Sequence, residues 1–174
     1  PCGKPSHRLP PVAAPLQRLD MLELSISGNP NLTIDDTEIG STTPNFTINS
    51  LDRIRSRIGS EAAIFLCIGS DTLNHIDSWY KWTELTNYCH IVAISRPGSP
   101  KKYSPQLTEW ISSRKSIDLG KLKESPAGCV YQCELSMLNI SSTKIRQKIK
   151  QNETLQKLLP KKVVNYIQIN HLYK

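Results

Sequence analysis

Ile140-Ser141-Ser142-Thr143-Lys144-Ile145-Arg146 sets three hydroxyls ahead of two cations at the expected start of a helix. A helix N-terminus carries unpaired N–H groups and the positive end of the dipole, so it favours a phosphate. A self-sufficient helix usually puts acids in its first turn and Glu or Gln three residues after its cap. Lys144 and Arg146 stand there instead. That choice suits an anion arriving from outside, held by hydroxyls, N–H groups and a guanidinium together. Arg146 follows Ser142 by four residues and Thr143 by three, so all three share roughly one face. A basic surface helix with a serine cap is the competing reading.

Gly69-Ser70-Asp71-Thr72-Leu73 marks a second expected passage from strand to helix. A carboxylate leaving a buried strand can accept from a sugar hydroxyl. Asp71 could equally cap the next helix, which is the commoner use. Trp79 and Trp82 follow; either ring fits a core or offers a face to a flat heterocycle. Phe46-Thr47 opens another helix, suited to an anion or capped simply by the threonine. His7-Arg8 is a basic pair in a Pro-rich loop and by itself reads as solvated. His7, His75, His90 and His171 are dispersed, and no Ser/His/Asp set, carboxylate pair or metal-ligand spacing stands out.

Such residues need rigid elements to hold them. The run 62–68 is apolar without a break, as in a parallel strand buried on both faces. Cys67 is expected inside it as a small core hydrophobe. The pattern predicts a helix over about 72–85, strands over 90–94 and 128–135, and a short helix near 106–113. Helices over 142–150 and 161–171 finish the chain. Upstream, Pro15 suits the first turn of a helix carrying Leu16, Leu19, Leu22 and Ile26 at helical spacing. Residues 32–34 read as a short strand. Thr47 is expected to cap a helix with Leu51, Ile54 and Ile58 inward and Arg53, Arg55 and Arg57 mostly outward. Alternation of this kind implies an α/β fold with a doubly wound, Rossmann-like, mostly parallel sheet and helices on both faces. Ligands are then expected at the carboxyl ends of the strands.

The 174 residues suit one domain over residues 1–174, and 38% apolar content is globular rather than disordered. A net charge of +7 favours anionic partners. That charge is scattered, with no aromatic-interleaved basic stripe, so nucleic acid is not expected as a partner. No apolar stretch reaches the ~18–20 residues of a membrane span. The five cysteines are odd in number and irregular in spacing, which suggests structural thiols in a reducing, cytoplasmic compartment.

Taken together, these runs resemble the nicotinate-nucleotide adenylyltransferase family of the nucleotidyltransferase α/β superfamily. The likeness runs through Pro5-Ser6-His7-Arg8, Gln17-Arg18-Leu19-Asp20-Met21-Leu22-Glu23-Leu24, Pro44-Asn45-Phe46-Thr47, Gly69-Ser70-Asp71-Thr72-Leu73 with Trp79, Arg96-Pro97-Gly98, Ile140 through Arg146, and Leu158-Leu159-Pro160. Their order and spacing are specific together. The resemblance implies adenylyl transfer from ATP, with Mg²⁺, to nicotinate mononucleotide, giving deamido-NAD and pyrophosphate. It implies that Ser141, Ser142, Thr143 and Arg146 bind the ATP phosphates, with His7 and Arg8 reaching them from their loop. It also implies Gly69 and Asp71 on the nucleoside of ATP, Trp79 stacked on the pyridine, and Phe46, Thr47 and Arg96 around the nicotinate nucleotide. N–H donors facing the nicotinate carboxylate would reject the amide, whose NH₂ donates.

The family opens with a glycine-rich strand–turn–helix bearing two histidines, and no such motif occurs in the sequence. Residue 1 is expected to fall in the loop that follows it. The first strand is therefore expected to be missing, and the chain alone to be inactive and poorly stable. No catalytic residue and no metal ligand are assigned. Phe46 stands where a tyrosine is usual, and Gly3 where an asparagine is common. The alternatives are a non-catalytic nucleotide-binding module, a pantetheine-phosphate adenylyltransferase, against which Trp79 and the Leu-Leu-Pro tail count, and last a nucleic-acid binder. The phosphate grip is expected in a crevice shared by the start of helix 142–150 and the residues after strand 62–68.

Overall fold

The computed structural model describes residues 11–41, 44–96, 98–135, 140–155 and 157–174. Its helices are α1 (Pro15–Ile26), α2 (Thr47–Ile58), α3 (Ser70–Leu73), α4 (Pro105–Arg114), α5 (Ser142–Lys150) and α6 (Lys161–Ile169). Its strands are β1 (Phe65–Gly69), β2 (His90–Ser95), β3 (Lys115–Ser116) and β4 (Val130–Glu134). The described residues fall into two compact units, one within Pro1–Asn45 and Leu138–Lys174, the other within Phe46–Met137.

The second unit holds the sheet. Its order is β1-β2-β4-β3, and every pairing is parallel. Leu66 lies beside Ile91 and Ile91 beside Val130, with Ile68 beside Ala93. These side chains share one face and join Ile48 and Leu51 of α2 and Leu107, Trp110 and Ile111 of α4 in the main core. Each large aliphatic side chain sealed there contributes roughly 1.5–3 kcal/mol.

Cys67 corrects the expectation of a strand buried on both faces: it is exposed. Side chains alternate along a strand, and Cys67 shares its face with Phe65 and Gly69, away from the core set. Among the described residues β1 pairs along one edge only.

Helix α2 ends where Gly59, at φ +90°, donates its N–H to Arg55 O, and Ile58, expected inward, is exposed. Arg55 is not outward. Its guanidinium donates to the carbonyls of Gly59, Ser60, Ala62, Tyr88 and Pro126. Those carbonyls belong to the loops that enter β1, β2 and β4. His90, wholly buried, accepts the Cys129 N–H at Nδ1 and donates from Nε2 to Ser125 O at 2.8 Å. Both residues therefore knot the amino end of the sheet.

The helix expected over 72–85 is broken. Four residues of α3 lead to 3₁₀ turns at Ile76–Ser78 and Trp82–Asn87, with Lys81 left-handed at φ 53°. Small polar side chains supply the competing bonds: Ser78 donates to His75 O, while Asn74 and Asp77 bond to a distant loop. Such residues favour turns over helix interiors. Residues 32–34 form no strand either, and Leu32 is 51% exposed. The side chains of Asn29 and Asp35 accept from backbone N–H groups two residues on, turning the chain on both sides.

The first unit packs α1 against α6. Ala13, Val163, Ile167 and Leu172 are buried, with Met21, Leu24 and Tyr166 against them. The apolar stripe expected on α1 is therefore displaced: Leu16 and Leu22 are exposed. Tyr166, which donates to Asp20 Oδ2, pins the Asp20–Met21–Leu24 face to α6.

Candidate active site

Parallel strands present their carboxyl ends together, and α2 runs back along them. Its last turn is tied by Arg55 to the amino-end loops. Twelve residues of helix cover ~18 Å, close to the ~17 Å of a five-residue strand. Its first turn therefore lies at the carboxyl end. The Phe46 ring meets that of Tyr80 there at 4.6 Å. Phe46, not Thr47, is the N-cap residue, and no side chain caps the helix. Thr47 is the first helical residue, because the extended φ −100°, ψ 138° of Phe46 already satisfies the boundary.

Gly69 ends β1 and is the N-cap residue of α3, again without a side-chain cap. Asp71 sits in that first turn, exposed, and is not spent as a cap. Trp79 follows in an extended conformation, half-buried against the core. Tyr80, 52% exposed, is next, and Lys81 Nζ lies 5.9 Å from its ring centroid. Arg96 is exposed just beyond β2. Within this unit, then, Gly69, Asp71 and Arg96 stand at or just past the ends of β1 and β2, Phe46 and Thr47 open α2, and Trp79 packs against the core.

Sequence reasoning passed over two side chains at this end. Asn74 donates from Nδ2 to Pro100 O and accepts the Lys102 N–H at Oδ1, both at 3.1 Å. Asp77 accepts from Ser104 Oγ at 2.7 Å, while the same hydroxyl accepts the Leu107 N–H as N-cap of α4. Their only signal was polarity inside a supposed helix.

In the first unit Ser141 caps α5, accepting the Lys144 N–H at 3.2 Å. No acid occupies the first turn, and Lys148 and Lys150 close the last. Arg146 Nη2 donates to Thr143 Oγ1 at 3.5 Å, which confirms that the two share a face. Thr143, Arg146 and Lys150 line a cavity of about 450 Å³ with Val12 and Tyr173. A larger one, about 840 Å³, is walled by Ile149, Leu155, Leu159 and Ile167. It contains none of the anticipated residues. His7 and Arg8 lie outside the described residues, as does Pro97. Among the described residues no group of three or more His, Cys, Asp and Glu could hold a metal ion, and no helix is long and apolar enough to cross a membrane.

Residues 1–148 match the family described as cytidylyltransferase-like. A probable nicotinate-nucleotide adenylyltransferase of Serratia proteamaculans is 37% identical over 171 residues, covering 98% of this chain and 78% of the relative. One from Pectobacterium atrosepticum is 34% identical over 100% of this chain and 82% of the relative. Among solved structures, Plasmodium falciparum nicotinic acid mononucleotide adenylyltransferase complexed with NaAD superposes with a TM-score of 0.62 at 17% identity. That match covers 99% of this chain and 79% of the other, and at such identity it shows the α/β fold.

Proposed function

The chain belongs to the cytidylyltransferase-like family and, within it, to the nicotinate-nucleotide adenylyltransferases, and from that premise we propose how its residues divide the work. The reaction moves the adenylyl group of ATP to nicotinate mononucleotide, giving deamido-NAD and pyrophosphate, a step of NAD biosynthesis. A substrate phosphate attacks the α-phosphorus in line as pyrophosphate leaves. The protein's part is positioning and neutralisation of phosphate charge.

One observation supports the pyridine-nucleotide side of this reading: the uncapped start of α2 at Phe46 and Thr47, the exit of β2 at Arg96 and the half-buried Trp79 all belong to the unit that holds the parallel sheet. Trp79 stacks on the pyridine ring. Phe46 and Thr47, at the uncapped start of α2, offer N–H donors to the nicotinate nucleotide, and the backbone near Arg96 closes that pocket. N–H groups donate to both oxygens of a carboxylate but face a second donor in an amide's NH₂. Gly69 and Asp71 contact the nucleoside of ATP. In the first unit, the α5 start is basic where a self-sufficient helix is acidic. Ser141, Ser142, Thr143 and Arg146 there hold the ATP phosphates, aided by His7 and Arg8. Mg²⁺ enters with ATP as part of the substrate, held chiefly by phosphate oxygens. The thiols of Cys67, Cys89, Cys129 and Cys133 are free, in keeping with a reducing cytoplasm.

Pyrophosphate release by the protein, with ATP–Mg²⁺ and nicotinate mononucleotide, tests the reading. Arg146→Ala removes a charged hydrogen-bond donor and is expected to lower kcat/KM for ATP by roughly a hundredfold. Wild-type kinetics in that variant would remove Arg146 from the phosphate site. No turnover by the wild type would overturn the assignment itself.

A further inference from the structure

We propose that Asn74 is a positioning residue: it latches the loop after β2 to the segment leading to Trp79, and so sets the pyridine-nucleotide pocket. The proposal rests on the functional reading above. Strands β1 and β2 finish side by side, Gly69 opposite Ile94, and beyond them the ladder between these two strands ends. Residues 98–104 carry no helix or strand. Their backbone groups lack ladder partners, and fixing such a loop costs conformational entropy at every residue.

Asn74 answers that need with a side chain that behaves like a neighbouring strand. Its amide has both a donor and an acceptor, and it uses one of each on the loop, at Pro100 O and Lys102 N–H. A single amide orientation satisfies both, since the first partner only accepts and the second only donates. Asn74 is itself fixed, because its backbone N–H donates to Ser70 O at 3.0 Å as α3 ends. The Ser104–Asp77 bond ties the far end of the same loop to the same segment. The chain leaving β2 through Arg96 is thus held to the segment leading to Trp79, without Asn74 having to touch a nucleotide.

Titration calorimetry on the protein, using nicotinate mononucleotide and ATP–Mg²⁺ separately, tests this. Losing both bonds in Asn74→Ala is expected to weaken nicotinate mononucleotide roughly tenfold and to leave ATP within about twofold. Hydrogen exchange at the Lys102 amide is expected to speed up in the same variant. Asn74→Gln, with both groups on a longer stem, is expected to recover part of the affinity. Wild-type affinity in Asn74→Ala, or equal weakening of both nucleotides, would overturn the latch. Failure of the wild type to bind nicotinate mononucleotide would instead overturn the functional reading, a separate result.

Discussion

Cys67 and Cys89 bracket the range of environments one residue type can meet in this chain. Cys67 points out of β1. Cys89, just before β2, is wholly buried and donates its S–H to Leu85 O at 3.4 Å. Burial pushes the Cys89 thiol up to about 12, against the opposing influences of Leu66 and the Arg55 charge. Alkylation needs both access and thiolate. With iodoacetamide at pH 8, Cys67 is expected to be modified in the native protein, and Cys89 only after unfolding; peptide mass mapping over time reads both. Earlier labelling of Cys89 would contradict its burial. This contrast was hidden from the sequence because the run 62–68 is apolar at every position, so its alternation cannot be seen. Asp71 and Trp79 were legible as candidates through residue type alone. What the sequence withheld was their setting, a first-turn carboxylate not used as a cap and an indole in extended chain.

At the scale of elements, α2 shows why some segments are readable and others are not. Its apolar spacing and its closing glycine are local, and its bounds follow from them. Helix α5 is legible for the same reason, with Ser141 capping it as a lone serine would. The segment 70–87 is not, because its conformation is decided by partners 26 to 28 residues away, Pro100, Lys102 and Ser104. Arg55 is the extreme case. Its position on α2 suggested a solvated cation, yet one of its acceptors, Pro126 O, lies 71 residues distant. Only a planar fork can serve five carbonyls at once, and a lysine ammonium has fewer, convergent donors. Arg55→Met keeps the aliphatic stem and removes the donors. It is expected to cost about 2–4 kcal/mol, the loss of several charge-assisted bonds tempered by water reaching the freed carbonyls. Arg55→Lys is expected to recover less than half. Urea melts followed by tryptophan emission check this, since Trp79, Trp82 and Trp110 all lie in the second unit. A loss below about 1 kcal/mol, the size of one ordinary hydrogen bond, would show the knot to be ornamental.

For the molecule as a whole, the protons it holds most tightly set its alkaline limit. Burial raises Cys89 and Tyr103 in the second unit. In the first unit, the hydrogen bond to Asp20 raises Tyr166, because the phenol must keep its proton to donate it. All three shifts have one sign. A raised folded-state value means that the folded chain binds more protons than the unfolded chain at high pH, so stability falls as pH rises. For Cys89 the contribution is complete below 9.0 and is lost on the way to about 12; the tyrosines begin to add to the loss near 10.0. The midpoint of thermal unfolding is therefore expected to be insensitive to these groups from pH 7 to 8 and to drop progressively from pH 9 upward. Cys89→Ala separates the contributions. It leaves a small cavity and lowers the midpoint at every pH, but it is expected to flatten the decline between pH 9 and 12 in the second unit. Tyr166→Phe is expected to do the same above pH 10 for the first. A decline with unchanged slope in both variants would instead trace alkaline unfolding to general charge repulsion, because this chain reaches zero net charge near pH 9.2 and grows steadily more negative above it.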